Sequence, residues 1–247
     1  MEVLVKMISK LIEELKKLEW VDLTHSFDEN SPRWKGFKPL KKEVILDFNE
    51  YPVKAHEYTF PGQYGTHIDV PAHADPDGMT LDKIELKRCL NPLCVIDCSK
   101  QVRLNNDYAL NIKDILDYEE KYGKIPEGAF VAMRSDWYLR WNENEAFLNY
   151  DEMGNPRYPG WDIEALKFLI EERKINCIGH ETIDTDPPQK EDQKYFKGEC
   201  YVLKKQLFQI EVMANLDKVP PCGAIIMSFF PKQKGATGFP VRCFAMF

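Results

Sequence analysis

No apolar run in the 247 residues approaches the roughly 18–20 needed to span a bilayer. The first twenty residues carry Lys6, Lys10, Lys16 and Lys17 among their apolar positions, so they lack the unbroken apolar segment of a secretory signal. Positive charge is also in deficit, with 33 Lys and Arg against 40 Asp and Glu and no clustered basic face. That argues against nucleic acid, because neutralising phosphates requires concentrated positive charge. Paired cysteines are missing too. The seven cysteines, at 89, 94, 98, 177, 200, 222 and 243, include no C-x-x-C pair and are odd in number. They read as reduced, mostly packed thiols rather than a disulfide framework or a thiolate zinc site. Internal repeats, low-complexity tracts and long linkers are absent. The expectation is a cytoplasmic globular protein with a small-molecule substrate and no nucleic-acid or membrane partner.

What is present fits a folded α/β protein, at 44% hydrophobic and 30% charged residues. Leu4, Met7, Ile8, Leu11, Ile12, Leu15 and Leu18 follow the i, i+3, i+4, i+7 spacing of an amphipathic helix. This predicts an N-terminal helix within 1–19, packed on the domain or on a second subunit, ahead of one domain over 20–247. The segments 42–48, 56–60, 92–97, 128–135, 176–180 and 223–229 read as strands. Residues 112–123 read as a helix closed by Gly123, and 160–175 as a helix capped by Asp162. From about residue 90 the alternation of strands and helices predicts an α/β core. Residues 186–198 form the best loop candidate.

The densest polar cluster is GQYGTHIDVPAHAD, residues 62–75, which holds two of the five histidines. His67 and Asp69 stand two apart, so an extended backbone turns imidazole and carboxylate to one face, where they can share a cation. Gln63 lies another even step away, although Gly62 and Gly65 favour a bend between them. Pro71 holds Val70 extended and so helps fix His73. Imidazole with carboxylate suits Zn²⁺ and also Mn²⁺ or Fe²⁺. The alternative reading is a pair of histidines hydrogen-bonded in a turn.

Gly65-Thr66-His67-x-Asp69-x-Pro71-x-His73 resembles the H-x-G-T-H-x-D-x-P-x-H signature of the cyclase family of metal-dependent hydrolases, which includes kynurenine formamidases and isatin hydrolases. Further resemblance lies in 20–34, 131–137, 178–186, 210–220 and the tail from 229, so only about residues 1–19 fall outside. The resemblance implies a swivelling β/β/α architecture, a mixed β-sheet or partial barrel with outer helices. It also implies a homodimer or homotetramer. Residue by residue, it implies metal ligands at His67, Asp69 and Glu211 and a catalytic acid/base at His73. The family's first motif histidine falls on Gln63, and a later histidine ligand falls on Glu199. This set is harder and more anionic than the family's usual one, which moves the expected metal from Zn²⁺ toward Mn²⁺.

Around these, His180 and Glu181 follow a core-like strand, where α/β proteins place ligand contacts, and are candidate substrate-binding residues. Trp34 and Trp137 are candidate pocket walls, together with Phe37, Tyr58, Phe60 and Tyr64. Arg134 and Arg242 are candidate partners for a substrate carboxylate. Asp184 and Asp186 are expected to shape the loop before Pro187. The expected activity is metal-dependent hydrolysis of an amide or lactam, such as an aryl formamide. The competing expectation is a small-molecule or metal-binding protein of the same fold that does no chemistry.

Overall fold

The computed structural model describes residues 2–189 and 196–247. In chain order the strands are β1 (Trp20–Asp22), β2 (Lys41–Leu46), β3 (Ala55–Thr59), β4 (His67–Asp69), β5 (Leu90–Asp97), β6 (Ala109–Leu110), β7 (Phe130–Arg134), β8 (Gly160–Trp161), β9 (Cys177–His180), β10 (Phe208–Glu211), β11 (Ala224–Phe229), β12 (Gly238–Pro240) and β13 (Arg242–Met246). Nine of them form one mixed sheet in the order β1-β13-β11-β5-β7-β9-β10-β4-β12. Neighbours among β5, β7, β9 and β10 run parallel, and the remaining pairs in this sheet run antiparallel. The sheet curls into a half-barrel with helices packed outside it, which is the mixed sheet or partial barrel the sequence predicts.

The core explains why the central strands are continuously apolar. Side chains alternate across a strand, so β5 sends Leu93 and Val95 into one buried cluster and Cys94 and Ile96 into the other. Ile68 of β4 and Ile210 of β10 belong to the first of these clusters. Their neighbours His67, Asp69, Gln209 and Glu211 therefore turn to the opposite face, the one the helices cover.

The helices are α1 (Glu2–Lys17), α2 (Ser99–Leu104), α3 (Ile112–Tyr122), α4 (Asn144–Leu148), α5 (Ile163–Lys167) and α6 (Lys197–Lys204). α3 starts at a reciprocal cap: Asn111 accepts from the Lys113 amide, and Asp114 accepts from the Asn111 amide, both at 2.9 Å. It ends at Gly123, with φ of 92°. Asp162 caps α5 by accepting from Glu164 N at 2.8 Å. The α-helix then stops at Lys167 and continues as a wider π turn over Phe168–Glu172, where the sequence predicts one regular helix. Arg173, next in the chain, is held by Glu119 of α3 at 2.6 Å.

α1 forms as predicted, but its own chain does not cover it, and Leu4, Met7, Ile8, Leu11 and Ile12 are exposed. The β2–β3 hairpin also stands apart from the main sheet, with Val44, Ile45 and Tyr58 exposed. Of the predicted loop 186–198, residues 190–195 lie outside the described residues. Its two ends are joined, because Asp186 accepts from Gly198 N at 2.7 Å and from Glu199 N at 3.0 Å. Five cysteines are buried, Cys200 is partly so and Cys222 is exposed, consistent with packing thiols. No helix among the described residues is long and apolar enough to cross a membrane.

Candidate metal centre

The register of β4 against β10 builds the site. Glu211 pairs with His67, and Gln209 pairs with Asp69. Directly opposed residues on one face lie close enough to interact, so two short strands bring two carboxylates, an imidazole and an amide together. His67 Nε2 lies 3.4 Å from Asp69 Oδ2 and 3.4 Å from Glu211 Oε2, and all three residues are buried. A second trio, Asp69, His73 and Glu199, shares Asp69. In each trio the possible ligand atoms lie within 4.8 Å of one another.

Local backbone features allow this approach. Gly65 has φ of +63°, the left-handed conformation that glycine adopts without strain, and so turns the chain into β4. Gly238 of β12 sits opposite Asp69. A Cβ there would fall 2.7 Å from Asp69 Oδ1 and 2.6 Å from Gln63 Nε2. Thr66 ties β4 to the end of β10 by donating to Val212 O at 2.6 Å. Val212 itself has φ of 57°, an unusual conformation for a β-branched residue directly after a candidate ligand.

Electrostatics and tautomer agree with cation binding. His67 Nδ1 donates to Gly65 O at 2.9 Å, which leaves Nε2 facing the carboxylates. Burial alone would lower the His67 pKa, but Asp69 and Glu211 outweigh it and raise it to about 10. Burial would raise Glu211, yet His180 and His67 hold it down at about 2. Burial, and then the charge of Glu211, push Asp184 and Glu199 well above the ordinary carboxylate range. Positive charge at this point is therefore strongly favoured. Asp69 Oδ1 is buried with no hydrogen-bond partner, and oxygen donors with one imidazole suit a divalent cation. The residues fit the metal that the fold family implies.

His180 is fully buried, with Nε2 3.3 Å from Glu211 Oε1. Trp161 donates to its other ring nitrogen at 3.3 Å. Glu199 lies on α6, 3.6 Å from His73 Nε2. The Gln63 amide nitrogen lies 3.3 Å from His73 Nδ1 and 3.3 Å from Thr237 Oγ1. Gln63 thus holds His73 rather than joining the buried trio. A cavity of about 260 Å³ opens onto these groups, lined by Pro32, Arg33, Trp34, Phe37, Ile183 and Phe196 among others.

Other sequence candidates fall elsewhere. Trp137 is buried in the core, where its indole N–H donates to Phe147 O at 2.9 Å and Arg140 stacks on its ring. Glu181 is buried and does not line the cavity, and its Oε2 accepts from Ser135 N, Ser135 Oγ and Trp137 N. Burial raises its pKa to about 7 against those three bonds. Tyr58 and Phe60 line a separate depression, and Tyr64 is buried. Arg134 is taken up by Asp97 and Asp136, and Arg242 by Asp22. Asp186 caps the turn into α6, while Asp184 accepts from Tyr158 and lines the cavity.

Gln209 and Thr185 were not anticipated, nor were the cavity-lining Arg33, Ile183 and Phe196. Gln209 donates to Glu199 Oε1 at 3.2 Å and to Glu211 Oε1 at 3.0 Å. Its own oxygen accepts from Thr185 Oγ1 at 2.9 Å. One buried amide thereby spaces two carboxylates. Its position two residues before Glu211 was the available signal, since period 2 places both on one face.

The curled nine-stranded sheet with outer helices is the fold of the cyclase family. The chain belongs to the family described as Putative cyclase, whose model matches residues 21–187. It is 33% identical to the isatin hydrolase of Roseibium aggregatum, over 93% of this chain and 92% of that protein. It is 31% identical to a Bacillus cereus kynurenine formamidase over 46% of this chain and 57% of that one. Isatin hydrolase A from Labrenzia aggregata, solved with benzyl benzoate, superposes with a TM-score of 0.89 at 32% identity, covering 97% of this chain and 98% of that one. An isatin hydrolase solved with the product analogue thioisatinate gives 0.89 at 30% identity, covering 100% and 98%.

Proposed function

We propose that this protein is a metal-dependent hydrolase that cleaves the C–N bond of an aryl amide or lactam. The observation that carries the reading is the buried trio His67, Asp69 and Glu211, with the imidazole tautomer already set by Gly65. The relatives named as isatin hydrolase and kynurenine formamidase support the same bond type. His67, Asp69 and Glu211 would hold the cation, with Glu199 beside it, and the oxygen-rich set favours Mn²⁺ over Zn²⁺. A bound divalent cation supplies a Lewis acid for the scissile carbonyl and a water of lowered pKa.

The rest of the chemistry falls to the chain's own groups. His73 faces the cavity with Nδ1 held by Gln63, which leaves Nε2 to exchange protons. For Nε2 to take a proton, Nδ1 keeps its own in both ring forms, so Gln63 presents its amide oxygen to Nδ1 and accepts from it throughout. Nε2 takes the proton from the attacking water and returns it to the leaving nitrogen. A cation bound beside Glu199 would favour its ionised form, which at 3.6 Å from Nε2 would stabilise the imidazolium formed in between. Pro32, Trp34, Phe37 and Phe196 offer an apolar wall to an aromatic substrate.

The exposed stripe of α1 and the free β2–β3 hairpin support a homodimer or homotetramer as the working assembly. An isolated hairpin is marginal in water, and an exposed apolar helix face gains stability from a second copy. The function is tested by elemental analysis of protein purified without added metal, followed by assays on isatin and formanilide with Mn²⁺ or Zn²⁺ restored. About one equivalent of metal and metal-dependent turnover are expected. Failure to take up either ion after reconstitution would remove the hydrolase reading.

A further inference from the structure

The cavity that opens onto the trio carries the carboxyl groups of Asp69, Asp184, Glu199 and Glu211 at its floor. Its other wall carries Arg33, the sole Lys or Arg among the described lining residues. Arg33 sits on the loop between β1 and β2, beside Trp34 and Phe37, whose rings meet edge-on at 5.3 Å. The loop's own backbone holds one part of the guanidinium: Nε donates to Phe37 O at 3.3 Å, and Nη1 donates to Ser31 O at 3.4 Å. No described carboxylate lies within ion-pair distance of it. Arg134, Arg173 and Arg242, by contrast, are each bound to an acid of the same chain. Guanidinium has five donors in a fixed fork, so Nη2 and the remaining Nη1 hydrogen stay available in a half-buried, aromatic-lined wall.

We propose that Arg33 is a specificity residue that binds a carboxylate on the substrate's aromatic ring, at the end remote from the scissile amide. This rests on the amide-hydrolase reading and narrows its substrate class to carboxylated aryl amides or lactams. The ring would lie against Trp34 and Phe37, with the amide toward the cation site and His73. A fork of charged donors recognises a carboxylate more strongly than a neutral ester or amide of the same shape. A charged hydrogen bond in such a setting contributes roughly a ten- to hundredfold preference.

The test compares 4-formamidobenzoate with its methyl ester, in the metal-loaded protein and after chelation. Binding is read by quenching of indole fluorescence and by calorimetry, so the result does not depend on turnover. The carboxylate should bind at least about tenfold more tightly than the ester in both metal states. Arg33→Gln should erase that gap while leaving ester affinity unchanged, and Arg33→Lys should keep part of it. Ester affinity thus reports whether the loop has merely collapsed. Equal binding of acid and ester by the wild type, or a gap that survives Arg33→Gln, would overturn the proposal. A gap that appears only with metal present would also overturn it, since the cation would then be the carboxylate's partner. Tight, Arg33-dependent binding without hydrolysis would uphold the anion subsite and count against the hydrolase reading instead.

Discussion

Asp69 belongs to two trios, and the two are held by different parts of the fold. His67, Asp69 and Glu211 stand on β4 and β10, directly opposed in register and buried. In the second trio, His73 ends a short turn after Pro71, and Glu199 opens α6. The strand-borne trio is fixed by a backbone ladder, by Gly65 and by Gly238. The other depends on side-chain contacts from Gln63, Thr237, Gln209 and Asp186. A cation needs constant geometry, and a proton carrier needs access to substrate. On the proposed function, the first task falls to the sheet and the second to His73 and the side chains around it.

The comparison is broken most completely at the shared residue. Asp69→Asn keeps the shape but removes charge from both trios, so bound metal and turnover should both fall below detection by elemental analysis and assay. His73→Ala should separate the two tasks. Turnover should drop by roughly 10²–10⁴, the usual worth of a general acid/base, with metal content unchanged. Gln209→Leu removes the amide that spaces Glu199 and Glu211, and metal affinity should weaken by roughly ten- to a hundredfold in a chelator competition.

Metal uptake should also slope with pH. His67 must lose a proton held up to about 10 before it can ligate. Metal affinity should therefore rise by roughly tenfold per unit between about pH 6 and 8, and a flat profile would detach His67 from the metal site. The same shifts act on metal-free stability. The raised pKa of His67 contributes fully below its ordinary 6.5 and is lost as pH climbs through about 10. The lowered pKa of Glu211 contributes fully above its ordinary 4.5 and is lost as pH falls through about 2. Thermal melts of chelated protein should show both contributions intact between about pH 4.5 and 6.5.

His67 and Asp69 were legible in the sequence because even spacing on an extended segment is a local property. The pairing of Glu211 with them came from resemblance, since no local pattern says that β10 will lie against β4. Gln209 and Thr185 were missed for the same reason: their hydrogen bonds exist only after distant segments become neighbours. Trp137 shows a different limit, because an aromatic side chain reads alike whether it walls a cavity or fills a core. The helix predicted at 160–175 was legible over its middle, but the short strand at Gly160–Trp161 and the change of pitch after Lys167 were not, because strand pairing with β6 is a non-local contact.

The bond from Gly198 N to Asp186 has a consequence for how this protein can diversify. Asp186 fastens the start of α6 twelve positions further along the chain, so Glu199 is anchored from outside the intervening segment. The place of this carboxyl group therefore depends on a contact across the fold and not on its chain neighbours alone. Phe196 lines the cavity beside that junction. Substrate preference can thus be varied at Phe196 while the Asp186 anchor keeps Glu199 in place.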